Sequence, residues 1–181
     1  MKYLKKISGK NVYLSPISLE DVGIYTKWLN DMEITDRINK SCFVTNEVSE
    51  KAWIENSLSN RLSNFAIINI ENDKLIGNCS FNKIDQISRT ATIGIFIGDK
   101  ENRGKGYGSE ALKLLLNFGF NYLNLNNIDL HVFSFNENAI ACYKKVGFKE
   151  YGRRHSAYFC NGKYHDVIYM EILSNEFKGE T

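Results

Sequence analysis

The sequence has little of several features that mark specialised classes of protein. Proline occurs once in 181 residues and no run of 18 apolar residues is present, so collagen-like chains are excluded and no membrane-spanning helix or membrane partner is predicted. The formal net charge is only +2. That charge is too small for a surface that neutralises many phosphates along a duplex, and we therefore expect no nucleic-acid partner.

Cysteine and histidine are also sparse and poorly spaced for metal binding. The four cysteines contain no CxxC pair, and the three histidines, His131, His155 and His165, lack the spacing of metal ligands. The opening residues are not followed by an apolar signal segment. We expect free thiols, no metal site and a location in a reducing cytoplasm.

The composition favours a folded chain with its own core. Apolar residues make up 43% of the sequence and charged residues 24%, and a chain of this length buries roughly 70% of its surface on folding. No stretch has the composition of a linker. We predict a single domain over residues 1–181.

The first half of the chain predicts two helices and a group of strands. A short strand at residues 12–14 is followed by a helix that opens near Ser18 and runs to Leu29, and a second helix is indicated over residues 47–62 by apolar side chains at helical spacing, namely Val48, Ala52, Trp53 and Leu58. Runs of β-branched and aromatic residues then predict a meander with strands at residues 65–70, 74–81 and 89–97.

The second half alternates helices and strands. A broad apolar face predicts a helix over residues 109–123, and a second helix over residues 137–146 ends at Gly147. Strands are predicted at residues 127–133, from residue 148 onward, and at residues 163–173. Together the elements predict an α/β fold of layered α+β type, with one central sheet.

Three glycines, Gly104, Gly106 and Gly108, stand between a predicted strand and a predicted helix. We call residues 103–109 the glycine loop. Glycine permits positive φ and close main-chain approach, so N–H groups at a helix start can converge on a phosphate. The spacing fits neither a Walker loop nor a dinucleotide fingerprint, because Arg103 and Ser109 stand where those patterns need glycine. A turn whose glycines supply only flexibility stays open.

Two motifs resemble those of one protein family. Arg103-x-x-Gly106-x-Gly108 resembles the [Q/R]xxGx[G/A] acyl-CoA pyrophosphate loop of the GNAT N-acetyltransferase superfamily, and residues 136–148, NENAIACYKKVGF, resemble its second motif, NxxAxxxYxKxGF. Residues 158–167 resemble the C-terminal hairpin of the ribosomal-protein alanine and spermidine N-acetyltransferases. The resemblance implies a GNAT fold, with a central mixed, mostly antiparallel sheet of about seven strands flanked by helices.

The resemblance also implies which residues hold acetyl-CoA, the expected cosubstrate. The pyrophosphate is expected on the glycine loop, and the pantetheine arm is expected along the third strand of the meander like an added strand. Further contacts are implied on the helix over residues 137–146 and at its start. The expected cofactor-binding residues are Ile95, Phe96, Ile97, Arg103, Gly104, Lys105, Gly106, Tyr107, Gly108, Ser109, Asn136, Ala139, Tyr143 and Lys145. Asn136 alternatively caps the helix, and Tyr143 alternatively fills the core.

Acetyl transfer needs an acid, an oxyanion partner and a neutral amine. By resemblance Tyr143 is the acid for the leaving thiolate, and the main-chain N–H of Ile97 faces the thioester oxygen. The base is less well marked, since Thr92 stands where many relatives carry a glutamate. Glu33 is our named candidate, with His155, His165, Asp166 or water alone as alternatives. His155, Tyr158 and Asp166 are candidate acceptor-binding residues.

These expectations combine into an enzyme that moves an acetyl group from acetyl-CoA to a primary amine by direct attack in a ternary complex. The acceptor is a polyamine, another small amine or a protein N-terminus, and a homo-oligomer is left open. Two alternatives remain at this point. One is a catalytically silent CoA-binding regulator or scaffold of the same fold, which the absent strand glutamate favours, and the other is a nucleotide-binding protein.

Overall fold

The computed structural model describes residues 2–59 and 64–179. The strands are β1 (Ile7–Ser8), β2 (Val12–Pro16), β3 (Asn64–Asn69), β4 (Lys74–Asp85), β5 (Thr90–Ile97), β6 (Asn127–Phe133), β7 (Lys149–Cys160) and β8 (Lys163–Leu173). The α-helices are α1 (Val22–Leu29), α2 (Met32–Thr35), α3 (Glu47–Ser59), α4 (Tyr107–Asn121) and α5 (Glu137–Val146). Short 3-10 helices occupy Leu19–Asp21 and Lys100–Asn102.

The strands form one mixed sheet in the order β1-β2-β3-β4-β5-β6-β8-β7. β5 and β6 are parallel over Thr90–Thr92 and Asn127–Asp129, whereas β2 with β3, β6 with β8 and β7 with β8 are antiparallel. The predicted fold class is therefore confirmed, with eight strands in place of about seven. The additional strand is β1, whose two residues are too few to show a sequence period.

Helix α3 corrects one detail of the prediction. Its predicted end at Leu62 lies outside the described residues, and the face it buries is not the expected one. The side chains at the predicted apolar positions Val48, Ala52, Trp53 and Leu58 are all exposed, while Glu50, Ile54 and Ser57 are buried. The buried positions recur at i, i+4 and i+7, so they share one face of the helix. Tertiary packing has overridden the hydrophobic pattern of the isolated segment.

The described residues form two compact units, which we describe separately. The first unit comprises the described residues up to Ser80 together with Ile95–Ala111. An aromatic group lies in its core: Trp28 of α1 packs edge-on against Tyr25 and Phe96, with ring centroids 5.7 and 5.9 Å away. Gly98, which follows β5, lies directly against the Trp28 ring, where a Cβ would overlap ring atoms.

The second unit comprises Phe81–Gly94 together with the described residues from Leu112 onward. Its core includes the buried side chains Leu112, Leu115, Ile128, Met170 and Ile172. α5 ends as predicted at Gly147, whose φ of 116° is a conformation that favours glycine. The N–H groups of residues 147 and 148 donate to the carbonyl of Tyr143 and close the helix end. Among the described residues, no helix is both long and apolar enough to cross a membrane.

Candidate active site

The glycine loop follows a single 3-10 turn and leads directly into α4. Gly104 and Gly106 have φ angles of 73° and 87°, in the left-handed region that glycine adopts without strain. A Cβ built at either position would meet no atom within 4 Å, so the space above both residues is open. α4 begins at Tyr107, two residues earlier than the sequence pattern indicates. The last two glycines of the motif therefore lie at the helix start.

The main-chain N–H groups in the middle of this loop differ from that of Arg103, which donates to the carbonyl oxygen of Lys100 at 3.2 Å. No acceptor among the described residues receives a hydrogen bond from the N–H groups of residues 104–108. The first main-chain bond of the helix start runs from Glu110 to the carbonyl of Gly106, at 3.0 Å. Five successive donors thus lie at the positive end of the α4 dipole. An anion is the ligand that such a donor set accepts.

Arg103 was expected to bind the cofactor, but the structure directs its side chain into the protein. Its Nε donates to the carbonyl oxygen of Ile97 at 3.1 Å, and its Nη2 donates to that of Gly98 at 3.3 Å. The third guanidinium nitrogen, Nη1, pairs with the carboxylate of Glu33. The Arg103 side chain therefore holds the end of β5, and its positive charge is already paired.

Glu33, the named candidate for the base, lies on α2 in a network of ion pairs. It contacts Arg103 and also Lys100, whose Nζ lies 2.7 Å from Glu33 Oε2 and 3.3 Å from Asp31 Oδ2. The hydrogen bond from Lys100, followed by that from Arg103, lowers the pKa of Glu33 below its ordinary value. A carboxylate whose charged form is favoured in this way is a weak proton acceptor. The geometry argues against Glu33 as the base.

Glu110 anchors the start of α4, a role that no sequence motif indicates. Its Oε1 accepts the main-chain N–H groups of Lys10 and Asn11 at 2.6 and 2.7 Å and that of Val12 at 3.2 Å, and its Oε2 accepts the Asn11 amide at 2.8 Å. Burial alone would raise the pKa of Glu110, but these hydrogen bonds together lower it. The carboxylate thereby fixes the helix start to the turn between β1 and β2.

The end of β5 presents main-chain groups on the edge away from β4. Gly98 donates to the carbonyl of Ile76 on β4 at 2.9 Å, and successive residues of a strand direct their main-chain groups to opposite edges. The main-chain groups of Ile97 consequently point away from β4, as the oxyanion prediction requires. Ile95, Phe96 and Ile97 are only half-buried. Their side chains are not fully enclosed by the first unit.

In the second unit, Asn136 occupies the N-cap position of α5, but its side chain makes no capping hydrogen bond. Asn136 therefore stands at the predicted cap position, but its side chain does not cap the helix. The side-chain amide makes no bond to the start of α5. Ala139 is half-buried and Lys145 is exposed on the same helix. The cofactor contacts expected of Ala139 and Lys145 stay predictions.

Tyr143 is 9% exposed and packs on α5 against Phe148, with ring centroids 6.0 Å apart. No hydrogen-bond partner for its hydroxyl is found among the described residues, and the oxygen is not fully enclosed. Burial raises the pKa of Tyr143, so the phenol carries its proton at neutral pH. A protonated, unbonded hydroxyl with solvent contact is able to donate to a ligand.

The candidate acceptor-binding residues of the β7–β8 hairpin have structural partners. Asp166 accepts the N–H of Ser156 at 3.0 Å and contacts Arg153 and His155 at 3.4 and 3.3 Å. These contacts hold a bulge in β7. The hydrogen bond from Ser156 is the main cause of a lowered pKa at Asp166, which therefore resembles Glu33 in being a weak base. Tyr158 is buried and stacks on Phe133.

The structure groups the predicted residues into two sets. The glycine loop, Ile95, Phe96, Ile97 and Glu33 lie in the first unit, whereas Asn136, Tyr143 and the hairpin residues lie in the second. Among the described residues, no group of histidine, cysteine and acidic side chains is arranged to hold a metal ion. The donor set that fits a cofactor is the row of N–H groups over residues 104–108.

Comparison with known proteins decides the family. The model of the acetyltransferase (GNAT) domain matches residues 11–149. The chain belongs to the GNAT acetyltransferase family. The N-acetyltransferase activity expected from the two motifs agrees with this assignment, and enzymes of this family use acetyl-CoA.

Relatives of this GNAT chain include enzymes with named acceptors. An uncharacterized N-acetyltransferase of Bacillus licheniformis, p20, is 32% identical over 97% of this chain and 100% of its own. The spermidine N(1)-acetyltransferase of Vibrio cholerae is 37% identical over 57% of this chain and 59% of its own. A crystal structure of spermidine N-acetyltransferase from Vibrio cholerae, in complex with CoA and spermine, superimposes with a TM-score of 0.85 at 25% identity, covering 93% of this chain and 98% of that one.

Proposed function

We propose that this protein transfers the acetyl group of acetyl-CoA to a primary amine by direct attack in a ternary complex. The observation that carries the proposal is the row of five N–H groups, residues 104–108, that have no acceptor in the described ranges of the chain and lie at the start of α4. A diphosphate fits this row, because it supplies negative oxygens to main-chain donors at the positive end of a helix. Bound acetyl-CoA supplies the thioester that the amine attacks.

The residues of the first unit orient the donor. The open space above Gly104 and Gly106 admits phosphate oxygens to the main chain. Main-chain groups on the free edge of β5 pair with the pantetheine amides as an added strand would. The N–H of Ile97 stabilises the charge that develops on the thioester oxygen, a contribution of about 3–4 kcal/mol for one such donor in other acyl transferases. Arg103 positions this peptide through its bond to the Ile97 carbonyl.

Proton transfer to the leaving group is assigned to Tyr143. The phenol holds its proton at neutral pH, and its hydroxyl is unbonded within the described residues. The reference pKa is about 8.5 for a thiol and about 10 for a phenol, and burial raises the pKa of Tyr143 further, so transfer to the thiolate is uphill and requires stabilisation of the phenolate in the ternary complex. The amine must also lose a proton, since an alkylamine with a pKa near 10.4 is only about 0.04% neutral at pH 7.

The acceptor is a polyamine, another small amine or a protein N-terminus. The named acceptor of the spermidine N(1)-acetyltransferase relative supports a polyamine. Residues 31–62 and the hairpin over residues 152–166 are the segments that we expect to select among acceptors.

A thiol-release assay with acetyl-CoA and an amine panel tests the proposal. The panel consists of spermidine, putrescine, glucosamine and a tripeptide with a free N-terminus. We expect CoA thiol to appear only when a suitable amine is present. A protein that binds CoA tightly but releases no thiol with any of these amines, or with a wider set, would be the silent regulator favoured by Thr92 in place of a strand glutamate. Stabilisation by ATP rather than CoA would indicate the nucleotide-binding alternative.

A further inference from the structure

A buried carboxylate on α3 has no role in the fold or in the site described so far. Glu50 is 5% exposed and lies on the core-facing side of the helix with Ile54 and Ser57. Ile54 belongs to the apolar core that contains Trp28, and Phe96 of β5 packs against the same core. Glu50 is therefore one helical turn from a cluster that includes the strand expected to hold the donor.

The Glu50 carboxylate has no hydrogen-bond or ion-pair partner among the residues that the structure describes. Asp21, another buried carboxylate of the first unit, shows the usual arrangement. It accepts the hydroxyl of Tyr3 at 2.8 Å, and the ammonium of Lys2 lies 2.6 Å away. Glu50 is thus a buried carboxylate of this unit with no counter-charge at bonding distance among the described residues.

Burying an unpaired carboxylate destabilises a fold unless a cation reaches it or it takes up a proton. Burial raises the pKa of Glu50, and the charge of Lys40 only partly opposes this. Glu33 and Asp166, by contrast, have lowered pKa values and are already paired. Glu50 differs from both, because it has no bonded partner within the described part of the chain and its environment favours the protonated form.

Aromatic rings connect α3 to β5 within the first unit. The ring of Trp53, three residues after Glu50, lies 6.3 Å from Tyr25, which in turn packs on Trp28, and Trp28 packs on Phe96. These contacts fix the face of α3 that carries Glu50 relative to the end of β5. An aliphatic amine would suit this arrangement, with its alkyl chain beside the rings and its ammonium group at the carboxylate.

We propose that Glu50 binds the ammonium group of the acceptor and takes its proton before attack. This inference deepens the proposed function and rests on it. The proton moves from the ammonium nitrogen to a carboxylate oxygen of Glu50, and the freed lone pair forms the C–N bond to the thioester carbon. The C–S bond then breaks and the thiolate takes a proton from Tyr143. The phenolate is reprotonated through water by the proton that the new amide nitrogen loses, and Glu50 releases its proton to solvent.

The test compares Glu50→Gln and Glu50→Asp with the wild type in kcat/KM for the amine and in the Kd of acetyl-CoA. We expect Glu50→Gln to lower kcat/KM about 100-fold or more, the range for loss of a general base, with the Kd of acetyl-CoA unchanged. Glu50→Asp keeps the carboxylate and is expected to retain intermediate activity. Glu55→Gln, on an exposed position of the same helix, is the matched control and is expected to match wild type.

Folding and function are separated by two further measurements. Urea unfolding shows whether Glu50→Gln folds, and we expect it to be at least as stable as wild type, because an unpaired buried charge is removed. If Glu50→Gln unfolds, Glu50→Asp decides the test, since it must then lower kcat/KM without changing the Kd of acetyl-CoA. A Glu50→Gln enzyme within threefold of wild-type kcat/KM overturns the role of Glu50 alone. A wild type that binds acetyl-CoA but neither binds nor acetylates any amine of the panel overturns the proposed function together with it.

Discussion

The guanidinium Nε of Arg103 donates to the carbonyl oxygen of Ile97 at 3.1 Å, so the first residue of the glycine loop holds the last residue of β5. Glu33 pairs with the same guanidinium from α2. The peptide expected to face the thioester oxygen is therefore positioned by a side chain whose donors contact the Ile97 and Gly98 carbonyls and Glu33. Loss of this side chain is expected to affect turnover through the orientation of Ile97.

Arg103→Ala tests this positioning role. We expect kcat to fall about 10-fold to 100-fold, because a misplaced oxyanion donor loses part of the 3–4 kcal/mol that one donor supplies. Arg103→Lys keeps the positive charge but cannot contact both carbonyl oxygens in the same way. Its kcat is expected to lie between those of Arg103→Ala and wild type. Glu33→Gln leaves both carbonyl contacts in place and is expected to reduce kcat less than threefold. Equal losses in the Arg103→Ala and Glu33→Gln enzymes would contradict the account and assign the effect to the ion pair.

Gly106→Ala tests the conformation of the glycine loop. A non-glycine residue at a φ of 87° costs about 1–2 kcal/mol, and the new methyl group would occupy the open space expected to hold phosphate oxygens. We expect the Kd of acetyl-CoA to rise at least 10-fold in calorimetric titration. Gly152→Ala is the control, because a Cβ there also meets no atom and the residue has no positive φ. Unchanged affinity in Gly106→Ala would show that the ligand lies elsewhere.

Tyr143→Phe tests the acid. Removing the hydroxyl is expected to lower kcat about 10²-fold to 10⁴-fold, while the Kd of acetyl-CoA changes less than threefold. Stability should be maintained, because the hydroxyl has no partner within the described residues. Tyr122→Phe, at an exposed position immediately after α4, serves as the control. Wild-type turnover in Tyr143→Phe would remove this tyrosine from the acid role.

Glu110 gives a prediction about pH and stability. Its pKa is lowered in the folded state, so its contribution to stability is present above the unfolded pKa of about 4.3 and is lost as pH falls through the lower folded value. Glu110→Gln places an amide donor against the donors of residues 10–12, and we expect it to reduce the free energy of unfolding by about 1 kcal/mol at pH 7. The difference from wild type should shrink at pH 3.

Urea unfolding at the two pH values measures this effect. Glu101→Gln is the control, since Glu101 is an exposed acid of the neighbouring 3-10 turn. A Glu110→Gln difference that stays the same at pH 3 and pH 7 would mean that the ionised carboxylate does not secure the start of α4.

The glycine loop was predictable from sequence because its conformation is local. Glycine is the residue that adopts positive φ without strain, and the helix that follows shows its own apolar period. The Arg103 and Glu33 contact joins residues 70 positions apart, and no local pattern encodes such a pair. From sequence alone, the charge of Arg103 predicts a phosphate contact. In the folded chain its side chain donates to the carbonyl oxygens of Ile97 and Gly98.

The face of α3 shows the same limit more clearly. Val48 and Leu58 predict an apolar face, but the helix buries Ile54 instead. Glu50 lies on the same face and is buried with it. Burial of a glutamate opposes the usual preference of charged side chains for the surface, so no sequence pattern predicts it. Such a violation of a local rule is expected at functional or strained positions, which is why we propose a role for Glu50.

The central claim is that the N–H groups of residues 104–108 bind the diphosphate of acetyl-CoA. Titration of CoA into ¹⁵N-labelled protein, followed by amide chemical shifts, tests it most directly, with dephosphorylated pantetheine as the control ligand. We expect the amide signals of residues 104–108 to move strongly with CoA and weakly with pantetheine. Saturating CoA that leaves these five amide signals unmoved would contradict the account.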